Sequence, residues 1–144
     1  MISKSVIETA EIAREFAANL QPRKDAATIV ALSGDLGAGK TTFTKAFAAA
    51  LGLDADDVTS PTFVIEKRFN LNAHVHFDRL IHIDAYRLEK PEEIERLGWK
   101  ETLTDPKNLI LIEWPENIGG ALPENSASVS FKFIDENTRE IVFN

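Results

Sequence analysis

One stretch constrains this chain more than any other. Thr28-Ile29-Val30-Ala31-Leu32-Ser33 is short, apolar and β-branched, and it runs directly into Gly34-Asp35-Leu36-Gly37-Ala38-Gly39-Lys40-Thr41. From Lys40 to Leu51 the apolar residues Phe43, Phe47, Ala50 and Leu51 fall on one helical face, and Gly52 stands where a left-handed C-terminal cap is expected. A continuous apolar run of this kind is a strand buried on both faces, so it needs layers packed above and below it. The order buried strand, glycine-rich turn, helix is the context in which G-x-x-x-x-G-K-[ST] holds a phosphate chain.

The chemistry accounts for each residue type in the loop. Gly34, Gly37 and Gly39 let the backbone turn so that successive N–H groups face inward, with Asp35, Leu36 and Ala38 between them. The helix that begins there adds the positive end of its dipole. Lys40 brings a full charge to the β- and γ-phosphates, and the Thr41 hydroxyl is a hard oxygen suited to Mg²⁺. Thr42, one residue deeper, can reach the α-phosphate through its N–H and hydroxyl. The loop therefore predicts a nucleoside triphosphate with Mg²⁺ as ligand.

The rest of the chain supplies the layers. Ser5-Val6-Ile7-Glu8 has capping-box spacing, and Ile12, Phe16 and Leu20 continue a helix from about Val6 to Leu20, ended by Pro22. After the turn Thr59-Ser60-Pro61-Thr62, Phe63 to Phe69 and Val75 to Tyr86 read as extended, joined through Asn70-Leu71-Asn72-Ala73. Pro91 to Leu97 reads as a short helix before Gly98. Leu109 to Ile112 is a second continuous apolar run. Ser128 to Ile134 and Arg139 to Phe143 form a final hairpin around Asp135-Glu136-Asn137. The expectation is one α/β domain over residues 1–144, a P-loop NTPase-like three-layer fold with a central mixed β-sheet.

A magnesium site beside such a loop wants a carboxylate at the end of a buried strand. Glu113, directly after Ile112, is the stronger candidate, although Asp is the usual residue there. Asp84, in His82-Ile83-Asp84-Ala85-Tyr86-Arg87, is the second, either holding a metal-bound water or orienting the attacking one. Trp114 beside Glu113 reads as a nucleotide-site wall, a partner surface or plain core. His74, His76 and His82 lack the spacing of a helical metal pair and read as structural or solvated, with His74 and His76 on one strand face.

Charge and composition narrow the function. The net charge of −7 argues against a broad nonspecific grip on nucleic acid, and the absence of cysteine removes thiol catalysis, disulfides and cysteine-based zinc sites. No signal-like start or membrane-length apolar window is present, so a soluble cytoplasmic protein is expected. Three classes use such a loop: an ATPase in a larger assembly, a GTPase switch and a small-molecule kinase. The guanine-reading N-K-x-D and the γ-phosphate-sensing D-x-x-G do not occur in the chain, and no arginine cluster suggests a kinase lid. The ATPase leads by elimination.

The glycine loop with Thr42-Phe43, then Thr59-Ser60-Pro61-Thr62-Phe63, then His82-Ile83-Asp84-Ala85-Tyr86-Arg87-Leu88, then Ile112-Glu113-Trp114-Pro115, occur in an order and spacing that closely resemble the bacterial TsaE (formerly YjeE) family. The resemblance runs from about Ser5 to Pro123. It implies an ATPase that supports the TsaB–TsaD complex in forming threonylcarbamoyladenosine in tRNAs reading codons that start with A, with group transfer left to TsaD and tRNA met indirectly. Carried over by motif, Lys40 and Thr41 match the phosphate and Mg²⁺ ligands. Glu113 matches the magnesium acid, and Asp84 the acid needed for hydrolysis. Residues 59–63, Thr62 among them, resemble a loop that senses the γ-phosphate. Ser5 and Thr9 match polar positions near the adenine, though Ser5 already serves as a helix cap.

Overall fold

The computed structural model of the protein describes residues 1–35, 37–58, 65–72 and 74–144. A seven-stranded mixed sheet runs through it. Its strands are β1 (Ile2–Ser3), β2 (Thr28–Gly34), β3 (Glu66–Asn70), β4 (Arg79–Asp84), β5 (Asn108–Glu113), β6 (Ala127–Phe133) and β7 (Arg139–Phe143). They lie in the order β1-β7-β6-β2-β5-β4-β3. The four central strands, β6, β2, β5 and β4, are parallel, while β3, β7 and β1 close the edges antiparallel. Both apolar runs singled out in the sequence, β2 and β5, are neighbours at the centre, where burial on both faces is complete.

Side chains alternate between two cores. Val30, Leu32, Leu80, Leu109, Leu111, Val129 and Phe131 face α1 (Val6–Asn19) and α2 (Lys40–Ala50). Ile29, Ala31, Ile81, Ile83, Ile110 and Ile112 face Ile94, Trp99 and Ile118 in the opposite layer. That layer consists of 3₁₀ turns at Pro91–Leu97 and Pro115–Ala121 and the short helix α3 (Trp99–Thr104). Phe16 of α1 locks the first layer, with ring centroids 6.0 Å from Phe43, 6.2 Å from Phe47 and 5.1 Å from Phe143. The three-layer α/β arrangement expected from the sequence is the observed one. Among the described residues no helix is long and apolar enough to cross a membrane.

The helix ends follow local chemistry. Ser5 caps α1 by accepting the Glu8 N–H at 3.1 Å, but Glu8 reaches back to the Lys4 N–H at 2.6 Å, one residue before the cap amide. At the end of α2 the Leu53 N–H bonds the Ala48 carbonyl and the Gly52 N–H the Ala49 carbonyl, with Gly52 left-handed at φ 90°. This is the Schellman arrangement anticipated from Gly52.

Two expectations change. The strand expected over Val75 to Tyr86 is only Arg79–Asp84. His74 Nδ1 accepts the N–H groups of His76 and Phe77 at 3.1 and 3.2 Å and folds residues 74–77 into a turn, so His74 and His76 share no strand face. Pro91–Leu97 is the expected short helix, of 3₁₀ type, and the chain re-enters a helix at Trp99 after a left-handed Gly98. β1, too short to show any period, pairs with β7. Phe63 and Val64 lie outside the described residues, as does Ala73 in the β3–β4 connection.

Thr44 offers a test of this packing. It lies inside α2 with its hydroxyl buried and, among the described residues, without a hydrogen-bond partner. Replacing Thr44 by Val removes an unsatisfied polar atom at nearly constant volume, and should leave stability equal or raised by up to ~1 kcal/mol in urea unfolding. A loss of stability would show that the hydroxyl is bonded in solution.

Candidate functional site

A cleft of about 380 Å³ opens beside the first turn of α2, where the central parallel strands β2, β4 and β5 end. From β5 the chain crosses β2 and returns on its other side as β6, which makes the end of β2 a topological switch point, where α/β sheets bind ligands. Gly37, Gly39, Lys40, Thr41, Thr42, Asp84, Tyr86, Glu113, Trp114 and Arg139 line it. Residues from four separate motifs thus meet in one place.

Gly34 is glycine because β6 leaves no room for anything else. A Cβ there would stand 2.4 Å from the Phe131 carbonyl oxygen, at φ +135°. The Ala38 N–H closes a turn on the Asp35 carbonyl at 3.1 Å, and the Ala38 side chain is fully buried. Gly34, Asp35 and Ala38 therefore shape the loop rather than line the cleft. Gly39 precedes α2 with φ +106° and leaves the first-turn N–H groups open to the cleft. Leu36 lies outside the described residues.

Lys40 is buried, with Nζ donating to the Gly34 carbonyl at 2.5 Å and lying 3.8 Å from the Trp114 ring centroid. Trp114 has a left-handed backbone, φ 58°, at a cost of order 1–3 kcal/mol for a residue with a side chain. Its ring packs on Tyr86 at 5.1 Å, and its carbonyl accepts the Asn117 N–H.

Burial pushes the Lys40 ammonium below the ordinary lysine value of 10.5, against the upward pull of Glu113, Glu116, Asp84 and Asp35. A polyanion against Nζ raises that value again, so binding takes up a proton. Affinity for a triphosphate should be full below the free protein's Lys40 pKa and fall as pH rises through it. Titration calorimetry from neutral to alkaline pH measures the slope. Lys40→Arg, which stays charged, should flatten it, and an unchanged slope would assign the proton elsewhere.

Register brings the two acids together. Asp84 pairs with Glu113 across β4 and β5, and Glu113 in turn stands opposite Leu32 of β2. Both continue the alternation of Leu80 and Leu111 and so face the α2 side. Asp84 Oδ1 accepts the Tyr86 N–H at 3.0 Å. Glu113 is buried, and its Oε2 lies 2.8 Å from His82 Nε2. The Thr41 hydroxyl and these carboxylates are hard oxygen donors. They fit a Mg²⁺ ion that keeps waters and phosphate oxygens in its shell, which needs only one or two carboxylates from the protein. Among the described residues no cluster of three or more His, Asp or Glu forms a complete metal cage.

His82, read as structural or solvated, is buried against Glu113. Two residues that line the cleft, Tyr86 and Arg139, escape the sequence reading. Arg139 enters the cleft from β7, its side chain running alongside Gly39. Two expected ones stand apart. The Thr9 hydroxyl is buried on Ser3 Oγ at 2.7 Å and the Ser5 hydroxyl caps α1, so both have structural partners and neither lines the cleft. Thr62, with the whole 59–63 loop, lies outside the described residues.

Comparison with known proteins agrees with this architecture. The family model of the threonylcarbamoyl adenosine biosynthesis protein TsaE matches residues 3–141. The tRNA threonylcarbamoyladenosine biosynthesis protein TsaE of Rickettsia bellii is 39% identical over 138 residues, spanning 96% of this chain and 89% of its own. That of Bacillus subtilis is 40% identical over 136 residues, spanning 94% and 78%. The crystal structure of Bacillus subtilis YdiB superposes with a TM-score of 0.72 at 34% identity, covering 99% of this chain and 82% of that one. By sequence over nearly its whole length and by fold, this chain belongs to the TsaE family, the family of tRNA threonylcarbamoyladenosine biosynthesis.

Proposed function

We propose that this chain is a magnesium-dependent ATPase that works with a TsaB–TsaD heterodimer in forming tRNA threonylcarbamoyladenosine in the cytoplasm, meeting tRNA through that complex. The observation that carries the reading is the convergence of Lys40, Thr41, Asp84 and Glu113 on one cleft beside the loop. Lys40 exchanges the Gly34 carbonyl for the β- and γ-phosphates. The first-turn N–H groups of α2, with Thr42 behind them, receive the phosphate oxygens. Thr41 and Glu113 hold Mg²⁺, which spreads the charge of the phosphate chain. Asp84 orients the attacking water. Arg139, absent from the sequence reading, adds a second cation on the side of β7.

Adenine as the base rests on the missing guanine motifs. The partner proteins rest on the family. An isolated chain of this kind turns over slowly, because its transition-state charge is only partly met until a partner orders the loop or adds charge in trans.

Phosphate release measured with and without TsaB–TsaD tests this. The complex should raise ATP hydrolysis at least ~10-fold, with no phosphorylated small product. In the same assay Glu113→Gln should raise the Mg²⁺ needed for half-maximal rate. Ordinary enzyme rates from the isolated chain, unchanged by TsaB–TsaD, would refute the partner role. A phosphorylated metabolite would instead make it a kinase.

A further inference from the structure

We propose that His82 is a positioning residue for the magnesium-binding carboxylate of Glu113, an inference that rests on the magnesium reading above. His82 stands opposite Leu111 in the β4–β5 register and Glu113 opposite Asp84, so the imidazole reaches Glu113 along the diagonal between neighbouring strands. The contact is 2.8 Å, and the two side chains are only 2% and 6% exposed. With the proton on Nε2, the imidazole donates and the Glu113 carboxylate accepts.

One oxygen of Glu113 is thereby held, which restricts how the carboxylate can turn. His82 does not line the cleft, whereas Glu113 does. The histidine touches no ligand and acts only through the acid. Outer-shell partners of this kind set how well a carboxylate is pre-aimed, and their loss commonly costs 10–100-fold in metal affinity.

Two variants separate positioning from plain packing. His82→Leu keeps apolar volume without a donor, and His82→Gln keeps a donor. Binding of a fluorescent ATP analogue is titrated with Mg²⁺ and also measured in chelator. His82→Leu should need roughly 10-fold more Mg²⁺ with its Mg²⁺-free binding unchanged, and His82→Gln should recover most of the loss. Equal loss with and without Mg²⁺ would make His82 structural and overturn the proposal, as would an unchanged Mg²⁺ midpoint.

Glu113→Gln is run in parallel. Normal Mg²⁺ dependence there overturns the magnesium reading and this proposal with it. Normal dependence in His82→Leu alone overturns only the proposal. The wild-type protein supplies a readout that survives misfolding of both variants, since nitrogen NMR of its three histidines distinguishes the tautomers. The Nε2–H form of His82 is expected, and the Nδ1–H form would overturn the assignment.

Discussion

Lys40→Ala should abolish ATP hydrolysis, with a fall of at least ~100-fold, the scale set by removing one preorganised electrostatic group from a site that stabilises developing charge. Triphosphate affinity should fall as well, by the worth of a charged hydrogen bond, about 1.5–3 kcal/mol. The fold should persist. The lysine adds no apolar anchor to the core, and its ammonium is held at a desolvation cost visible in its lowered pKa. Truncation removes the contact with Trp114 and one bond to the Gly34 carbonyl, but it also removes a buried charge. Far-UV circular dichroism and the thermal midpoint should stay close to wild type while calorimetry with ATP goes flat. A chain that unfolds would make Lys40 a structural residue and remove the main support for the nucleotide reading.

Gly34→Ala should have the larger effect on stability. The added methyl would stand 2.4 Å from the Phe131 carbonyl oxygen and 3.1 Å from Phe131 Cβ, and the first of these is backbone in a paired strand, which cannot step aside. With φ at +135° the residue is also outside the range of ordinary side chains. Either β6 separates from the end of β2 or the loop entrance turns away. The expected loss is about 3 kcal/mol, roughly 10 °C in thermal midpoint for a chain of this size. ATP affinity should fall too, because the carbonyl that parks Lys40 belongs to the displaced residue. Gly37→Ala is the internal control. Among the described residues nothing lies within 4 Å of its Cβ, so only the left-handed strain of about 1–2 kcal/mol applies. Equal effects at the two positions would mean that the β2–β6 contact does not decide the outcome.

These two glycines illustrate what a sequence carries. The loop motif marked both as backbone positions, but the reason for Gly34 lies in residue 131, a sheet neighbour whose pairing no local pattern announces. β2, β5 and α2 were legible because burial on both faces and a one-faced helix leave long apolar signatures. Glu113 was legible because it ends such a strand, and Asp84 because it sits in the motif His82-Ile83-Asp84-Ala85-Tyr86-Arg87. Their adjacency was not, since it comes from β4–β5 register. His82 looked unremarkable because its partner is 31 residues away. Arg139 was missed for the same reason, entering from the second strand of an unremarkable hairpin. The turn at residues 74–77 was mistaken for strand because an imidazole acceptor, not apolar alternation, determines its path. Thr9 was assigned to the ligand by motif matching, but burial gave its hydroxyl a closer partner in Ser3.

The sheet order has a further consequence for the order of events as the chain is made. β2 carries the loop, yet both of its neighbours, β5 and β6, are encoded far downstream. A growing polypeptide therefore exposes β2 without either partner until β5 at residues 108–113 has left the ribosome, and without the second until β6 at 127–133 follows. Closing such distant parallel pairs is slow compared with forming α1 and α2. The cleft thus takes shape only once β5 and β6 have docked on β2, and on the function proposed above ATP would stabilise only chains that have closed the sheet.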